Sequence, residues 1–238
     1  MSDAPQAIHI HPTAELAERV LLPGDPGRAL ALAQELLERP LMFNHNRGLW
    51  GYSGTAADGA ALTIQSTGMG GPSAAIVLEE LIVLGARRAI RVGTTGALDP
   101  GLAHGDLLIA REAIATDGTS RALGAGERIH ADPALTEALI AAAPTAARGT
   151  IVSTDLFYEV GEPRFDHWRA AGALAVEMEA ATLFAVGALR GIQVACALVV
   201  TDVLTGERER ISPEALLEAG QAVGRLGAQA LAIESGQP

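Results

Sequence analysis

The chain has 238 residues, of which 49% are apolar, and a formal net charge of −11. This apolar fraction is enough for a large core and excludes a disordered chain. The acidic balance argues against a general nucleic-acid binder, because no surplus of lysine and arginine exists to neutralise phosphates.

The sequence contains no clear targeting signal and only one cysteine. The first ten residues lack the pattern of a signal peptide, and no apolar run reaches the ~18 residues of a membrane span. The single cysteine, Cys196, cannot form an internal disulfide, which fits a reducing compartment. We therefore expect a soluble, cytoplasmic protein with one domain over residues 1–238 and no membrane or nucleic-acid partner.

Short β-branched or leucine-rich runs alternate with segments rich in alanine, leucine and glutamate. Three of the predicted helices begin with a proline, at Pro26, Pro72 and Pro213, where proline is favoured. The predicted helix 72–84 is apolar on nearly every side, so it has to be buried in the sheet layer or against another subunit. The alternation predicts an α/β fold of three layers, α/β/α, with a mixed, largely parallel central sheet. The predicted strands are, in chain order, 19–22, 62–66, 89–92, 107–110, 150–153, 174–177 and 194–200.

The residues that follow each predicted strand are the first candidates for a site, because ligands of open α/β sheets bind there. After the first strand, a turn at Gly24 leads into a helix whose first turn carries Arg28. Free backbone N–H groups and a guanidinium suit an oxyanion such as phosphate. The same residues also fit an ordinary turn with a solvated arginine. The glycine-rich segment 67–73 follows another predicted strand, 62–66, but taken alone it is weak evidence for a binding site.

Arg91 lies inside a predicted strand, where a charge is costly unless it is paired. The sequence Gly-Thr-Thr-Gly at 93–96 follows it and offers hydroxyl and N–H groups to an anion. The glycine motifs of P-loop and dinucleotide-binding proteins are absent from the sequence. An anion site and a purely structural pairing of Arg91 with a core carboxylate are both open.

Acidic residues follow two further predicted strands. Glu177 and Glu179 point the same way if their segment is extended, and Asp202 ends a strand where a proton donor could act. Each of them could instead be a cap or a solvated acid. His9 and His11 would share one face of a strand, but no third metal ligand accompanies them, so a metal site is not expected. No motif for a covalent serine or cysteine nucleophile is present.

Taken together, these strand exits resemble the nucleoside phosphorylase family. That family includes bacterial hexameric purine nucleoside phosphorylases, uridine phosphorylases and archaeal-type methylthioadenosine phosphorylases. The resemblance covers nearly the whole chain, from His9 to Asp202, in the order of the family. The matching stretches are 23–28, 46–48, 68–73, 91–97, 153–158, 176–180 and 200–202.

The resemblance implies a pentosyltransferase that cleaves purine nucleosides with inorganic phosphate, giving the free base and ribose 1-phosphate. It implies no metal and no organic cofactor, phosphate being a co-substrate. It also implies a homo-oligomer, a hexamer built as a trimer of dimers with shared active sites. The residues carried over to the phosphate site are Gly24, Arg28, Arg91 and Thr94, with Arg47 lent by a neighbouring subunit.

The nucleoside site follows from the same resemblance. His9 would reach the 5′ side of the ribose across the dimer interface, and Phe157 would cover the base. Asp202 would protonate a purine at N7. The catalytic residues would then be Asp202, Glu179 and Arg91. The ribose would lie on the strip Glu177, Met178 and Glu179, with Glu179 on the sugar hydroxyls.

Two departures from the family bear on the substrate. Residues 158–164 contain no glutamine, which disfavours uracil as the base. The arginine that assists the acid, here Asp202, is not at the spacing expected from the family. Arg208 and Arg210 are the candidates for this role. The alternatives are a methylthioadenosine or uridine phosphorylase of the same family, a hydrolytic nucleosidase, and a non-catalytic nucleoside-binding protein. The arginines disfavour the nucleosidase, and the two acids Glu179 and Asp202 disfavour the binding protein.

Overall fold

The structure, a computed structural model, describes residues 7–158, 162–205 and 208–232. Within them, eleven strands form one sheet, and seven α-helices and a short 3₁₀ turn, Asn46–Gly48, accompany it. The strands are β1 (Arg19–Leu22), β2 (Glu38–Asn44), β3 (Gly51–Thr55), β4 (Ala61–Gln65), β5 (Arg88–Ala97), β6 (Leu107–Ala115), β7 (Arg128–His130), β8 (Ala147–Ser153), β9 (Ala173–Glu177), β10 (Gln193–Val203) and β11 (Glu209–Arg210). The helices are α1 (Pro26–Leu36), α2 (Gly71–Leu84), α3 (Gly118–Ala122), α4 (Pro133–Ala142), α5 (Glu162–Ala170), α6 (Ala180–Arg190) and α7 (Pro213–Leu231).

The sheet is mixed, as predicted, and part of it closes on itself. The strand order is β11-β10-β6-β8-β9-β5-β1-β4-β3-β2, and β10 also pairs with β5, so β5, β10, β6, β8 and β9 form a ring. Among the described strands, five pairings are parallel and six are antiparallel. The parallel share is smaller than the alternation predicts, because β2, β3 and β4 form antiparallel hairpins and β6 runs antiparallel to β10.

The predicted strands are all present, and most are longer than predicted. Strands β2 and β3 were not predicted, because their sequences contain residues that are rare in strands, Pro40, Gly51 and Gly54. Packing requires these glycines: a Cβ at Gly51 would lie 2.0 Å from Oε1 of Gln65. Here tertiary contact overrides local strand propensity.

Local sequence signals account for the helix starts. Pro26 and Pro213 occupy the first helical positions, as predicted, and Pro133 opens α4 in the same way. The side chains of Asp25 and Ser212 accept backbone N–H groups of the first turn, as N-caps do. Helix α2 begins at Gly71, so Pro72 is its second residue and not its first as predicted, and the helix ends before Gly85, whose φ is 121°.

Two apolar clusters lie on opposite faces of the sheet, which gives the predicted three layers. Along β10, Ala195, Ala197 and Val199 face the cluster that also contains residues of α1, α4 and α7. The alternate residues Cys196 and Leu198 face the cluster that contains residues of α2 and α6. This alternation is the two-residue period of a strand buried on both faces.

No helix among the described residues has the length and apolar character that crossing a bilayer requires. In the same residues, no group of three or more histidine, cysteine, aspartate or glutamate side chains could hold a metal ion. His11 instead contacts its own segment, with Nε2 3.0 Å from the carbonyl oxygen of Ile8.

Candidate functional site

The loops that follow β1 and β4 meet at the carboxyl ends of these parallel strands. The backbone N–H of Thr67 donates to the carbonyl of Pro23 at 2.9 Å, and that of Gly68 donates to Gly24 at 3.0 Å. A Cβ at Gly24 would lie 3.2 Å from the carbonyl oxygen of Gly68 and 4.0 Å from Nη1 of Arg91. Glycine therefore permits the two loops to pack together directly above the Arg91 side chain.

Arg91 is the buried charge at the centre of this region, with 4% of its surface exposed. Its Nε donates to Oε2 of Glu177 at 2.8 Å, and its Nη2 lies 2.5 Å from Oε2 of Glu179. Burial alone would lower the pKa of Arg91, but the two carboxylates outweigh burial and raise it. Nη1 is buried and has no hydrogen-bond partner among the residues that the structure describes. The Arg91 side chain therefore pairs with two core carboxylates and also keeps one donor, Nη1, for a ligand.

Gly93 makes room for this guanidinium. Arg91 and Gly93 are two residues apart on β5 and share one face of the strand. A Cβ at Gly93 would lie 2.7 Å from Nη2 and 2.8 Å from Cζ of Arg91. The first glycine of the Gly-Thr-Thr-Gly sequence therefore accommodates a side chain of its own strand. Thr94 next to it is half-buried, and Thr95 donates from Oγ1 to the carbonyl of Val176 at 2.8 Å.

Glu177, at the end of β9, has both carboxylate oxygens occupied by the protein. Oε1 accepts from Oγ of Ser153 at 2.5 Å and from the N–H of Ala180 at 3.0 Å. Oε2 accepts from Arg91 and from the N–H of Glu179 at 2.9 Å. The carboxylate orients Arg91 and the start of α6, which places it behind the site. The resemblance implied no separate role for Ser153, although this residue begins the matching stretch 153–158 and ends β8.

Glu179 lies just beyond β9, at the N-cap of α6, and its side chain turns toward the Gly24 and Gly68 loops. Its Oε1 accepts the backbone N–H of Gly70 at 2.6 Å. Burial raises the pKa of Glu179, Arg91 opposes this, and the neighbouring charge of Glu177 adds to it. The two glutamates converge on Arg91, as their spacing predicts, although only Glu177 belongs to the strand. Met178 between them is half-buried.

Arg28 brings a second guanidinium to the same region. Asp25 caps α1 by accepting the N–H of Arg28 at 2.7 Å. Burial lowers the pKa of Arg28, Asp25 opposes this, and the positive charge of Arg91 lowers the pKa further. The Arg28 side chain lies against α7, where a Cβ at Gly220 would be 3.1 Å from its Nε. The two guanidinium groups of Arg28 and Arg91 are thus near enough for the charge of Arg91 to lower the pKa of Arg28, and a shared anion stays a prediction.

Asp202 and Phe157 are linked by Arg208. Oδ1 of Asp202 accepts from Nε and Nη2 of Arg208 at 2.9 and 2.7 Å, and Oδ2 accepts from Oγ1 of Thr201 at 3.0 Å. The Cζ of Arg208 lies 4.4 Å from the ring centroid of Phe157. The other candidate, Arg210, pairs with Asp202 only through the β10–β11 backbone register. The structure thus selects Arg208 as the partner of the acid.

His9 and Arg47 belong to two segments that contact each other, and Arg47 is exposed whereas His9 is half-buried. The side chain of Asn46 donates from Nδ2 to the carbonyl of His9 at 2.9 Å. Arg47 is exposed and has a φ of 56°, a left-handed conformation that is uncommon for residues other than glycine. Within the described residues, neither side chain forms a hydrogen bond or ion pair with Arg91 or Glu179.

Known proteins resemble the chain over most of its length. The sequence profile of the phosphorylase superfamily matches residues 18–233. The DeoD-type purine nucleoside phosphorylase of Geobacillus kaustophilus is 38% identical over 204 residues, which are 82% of this chain and 85% of that protein. The one of Clostridium beijerinckii is 38% identical over 211 residues, 84% of this chain and 88% of that protein. The crystal structure of a uridine phosphorylase from Vibrio fischeri has a TM-score of 0.81, is 29% identical and covers 91% of both chains.

Proposed function

The chain belongs to the phosphorylase superfamily, and we propose that it cleaves purine nucleosides by phosphorolysis, giving the free base and ribose 1-phosphate. Its similarity to purine nucleoside phosphorylases over more than four-fifths of the chain supports this pentosyltransferase activity. The observation that carries the chemistry is the buried Nη1 of Arg91, a charged donor beside Gly24 to which no group in the described part of the chain is hydrogen-bonded. A buried donor of this kind costs free energy unless a ligand accepts its hydrogen.

The ligand that suits this donor is the phosphate dianion. The charge of Arg91 lowers the pKa of Arg28, and an anion near both guanidinium groups would relieve this repulsion. Gly24, whose Cβ would lie 4.0 Å from Nη1 of Arg91, leaves the approach to that group open. The half-buried Thr94 follows Arg91 on the same strand and adds a hydroxyl donor. Charge-assisted hydrogen bonds from guanidinium groups are the strong ones for phosphate. Bound there, phosphate is both the nucleophile and the counter-charge to a developing oxocarbenium ion.

Glu179 is the group that faces the sugar. Its carboxylate sits at the loop carrying Gly70 and within contact of Arg91, and Glu177 behind it is already saturated. An acceptor on a ribose hydroxyl strengthens as positive charge develops on the ring, as in glycoside cleavage. We therefore assign the ribose hydroxyls to Glu179, with Met178 in the ribose strip, and a positioning role to Glu177.

Asp202 is the acid that would protonate the leaving purine at N7. Arg208 holds its Oδ1 with two hydrogen bonds, which orients the carboxyl group. Phe157, beside Arg208, is 45% exposed and offers an aromatic face to a base. An acid in position for the leaving group lowers the barrier because the departing purine carries negative charge.

The complete site would need a second copy of the chain. His9 and Arg47 share one surface, and exposed apolar side chains flank them in the sequence: Ile8 is 70% exposed and Leu41 is 64% exposed. A C2 interface would place this surface over a neighbour's site and bring Arg47 to its phosphate and His9 to its ribose. We extend the proposal to a homohexamer, a trimer of such dimers, that acts in the cytoplasm with no cofactor besides the co-substrate phosphate.

Uridine phosphorolysis is the second candidate, because the similar solved structure is a uridine phosphorylase. Asp202 and its Arg208 partner favour a purine, since protonation at N7 has no counterpart in a pyrimidine. The sequence feature that agrees with this is the absence of glutamine from residues 158–164.

A substrate panel tests the function directly. Inosine, guanosine, adenosine, methylthioadenosine and uridine are each incubated with the enzyme, with and without inorganic phosphate. We expect phosphate-dependent release of purine bases and formation of ribose 1-phosphate. Base release without phosphate would indicate a nucleosidase, turnover of uridine alone would indicate a uridine phosphorylase, and binding without turnover would indicate a nucleoside-binding protein.

A further inference from the structure

One carboxylate fixes the segment that carries His9 to helix α2. Both oxygens of Glu80 accept the backbone N–H of His9, at 3.1 and 2.8 Å, and Oε2 also accepts the N–H of Ile10 at 2.7 Å. Burial alone would raise the pKa of Glu80, but the N–H groups of Ile10 and His9 outweigh it and lower the pKa. The carboxylate is therefore ionised at neutral pH, and its hydrogen bonds are charge-assisted.

The other side of the same peptide unit is held by the loop that carries Arg47. Nδ2 of Asn46 donates to the carbonyl of His9 at 2.9 Å. One residue further, the side chain of Ile10 is only 1% exposed and belongs to the core. The N–H of His11 donates to Oδ1 of Asn44 at 2.9 Å. A segment without regular secondary structure is thus tied to three separate elements.

We propose that Glu80 and Asn46 are positioning residues, which hold His9 where its imidazole reaches the 5′-hydroxyl of a nucleoside in a neighbouring subunit. This inference rests on the proposed function, in which His9 serves the neighbour's site. Ordering one residue of a free chain costs about 1–2 kcal/mol, so a segment ordered only when substrate binds would weaken binding. The ties of Glu80 and Asn46 order the segment in advance.

The test compares inosine with 5′-deoxyinosine at saturating phosphate. 5′-Deoxyinosine lacks the 5′-hydroxyl, so it cannot form the proposed hydrogen bond with His9. The reference variant is His9→Ala, and the positioning variants are Glu80→Gln and Asn46→Ala. The matched control is Glu79→Gln, because Glu79 is adjacent on α2 and pairs with Arg190 through its carboxylate, 2.8 Å from Nε.

We expect His9→Ala, Glu80→Gln and Asn46→Ala each to raise the KM for inosine by about five- to tenfold, the worth of one hydrogen bond. The KM for 5′-deoxyinosine and the kcat for both substrates should stay within about twofold of wild type. Glu79→Gln should leave the KM for inosine and the KM for 5′-deoxyinosine at their wild-type values. If Glu80→Gln does not fold, as judged by its melting temperature, Asn46→Ala carries the same comparison.

Three results would overturn the inference in different ways. Equal losses on both substrates in the positioning variants would make Glu80 and Asn46 merely structural. If His9→Ala has the wild-type KM for both substrates, His9 makes no contact with the 5′-hydroxyl, and Glu80 has no such contact to position. The proposed phosphorolysis would not be affected by that result. Absence of phosphate-dependent base release in the wild type would refute the proposed function, and this inference with it.

Discussion

At Arg91, burial and charge act in opposite directions. The guanidinium is almost wholly removed from water, and Glu177 and Glu179 compensate for its charge. A buried ion pair of this kind contributes little net stability, yet removing one partner is costly, because it leaves an unpaired charge in the core. Arg28 differs, since its side chain has no ion pair with those two carboxylates.

The contrast predicts different outcomes for two arginine variants. Arg91→Ala should raise the KM for phosphate about 10- to 100-fold, from a lost charge-assisted contact of about 1.5–3 kcal/mol. It should also lower the free energy of unfolding by about 3–5 kcal/mol. Arg28→Ala should raise the phosphate KM with a much smaller loss of stability. Steady-state kinetics measure the KM for phosphate, and urea unfolding measures the free energy of unfolding. A wild-type KM for phosphate in Arg91→Ala would show that Arg91 has only a structural role.

Asp202 allows a test of acid catalysis with little change of geometry. An asparagine keeps Oδ1 as the acceptor for Arg208, and the Thr201 hydroxyl can turn to accept from the new amide. Asp202→Asn should slow inosine cleavage by about 10²- to 10⁴-fold, the usual worth of a positioned general acid. 7-Methylguanosine, already charged at N7, should lose far less. Equal losses on both substrates would assign Asp202 to base binding alone.

At the level of elements, the site is assembled where the parallel strands β1 and β4 end, beside Arg91 of the neighbouring strand β5. The loops after β1 and β4 are joined by backbone hydrogen bonds, and the side chain of Arg91 runs from β5 beneath them. Strand β9 delivers Glu177 to the same place because it pairs with the end of β5, with Val176 opposite Gly96. The closure of β5 against both β9 and β10 therefore brings acid and base residues of distant segments together.

Strand β5 depends on glycine at position 93. In Gly93→Ala, the new Cβ would overlap the guanidinium of Arg91 at 2.7 Å and displace it from Glu179. We expect the KM for phosphate to rise by about tenfold or more and stability to fall by about 1–3 kcal/mol. Gly126→Ala is the control, because its nearest neighbour would be 3.8 Å away. Unchanged kinetics in Gly93→Ala would show that Arg91 need not lie over this glycine.

On the scale of the whole molecule, the chain divides the proposed site between two surfaces. Arg28 and Glu179 follow the ends of β1 and β9, Asp202 lies near the end of β10 and Arg91 lies on β5, whereas Arg47 lies on an exposed turn next to the segment that carries His9. Apolar side chains that flank this turn remain exposed, among them Trp50 at 38%. Such a distribution predicts that a functional site is completed only between subunits.

Mixed assemblies test this division. Arg47→Ala and Glu179→Ala are each expected to be nearly inactive alone. When the two are unfolded together and refolded, a dimer with one copy of each has one site with every residue intact, so activity should return to about a quarter of wild type. Mixing Asp202→Asn with Glu179→Ala should restore nothing, because both residues belong to the same subunit's half. Absence of recovery in the first mixture would place Arg47 outside the shared site.

Features that depend only on neighbouring residues were predictable from the residue pattern. Proline at the helix starts and the continuous apolar run of β10 are local signals, and the predicted strands and helices follow them. The motifs at the strand exits determined the family, which is confirmed. The antiparallel hairpin of β2 and β3 escaped prediction, because glycine and proline are poor strand formers and its two glycines are instead required by close neighbours in the fold.

The partners of the site residues depend on the folded chain and not on local sequence. Arg91 and Glu177 are 86 positions apart, and no periodicity in the sequence indicates that Glu177 would be saturated while Nη1 of Arg91 has no partner. The choice of Arg208 over Arg210 likewise depends on how the chain turns after β10. Such pairings arise when the sheet closes and brings distant segments into one buried volume, where each charge has to find a partner among whatever groups the fold has placed there.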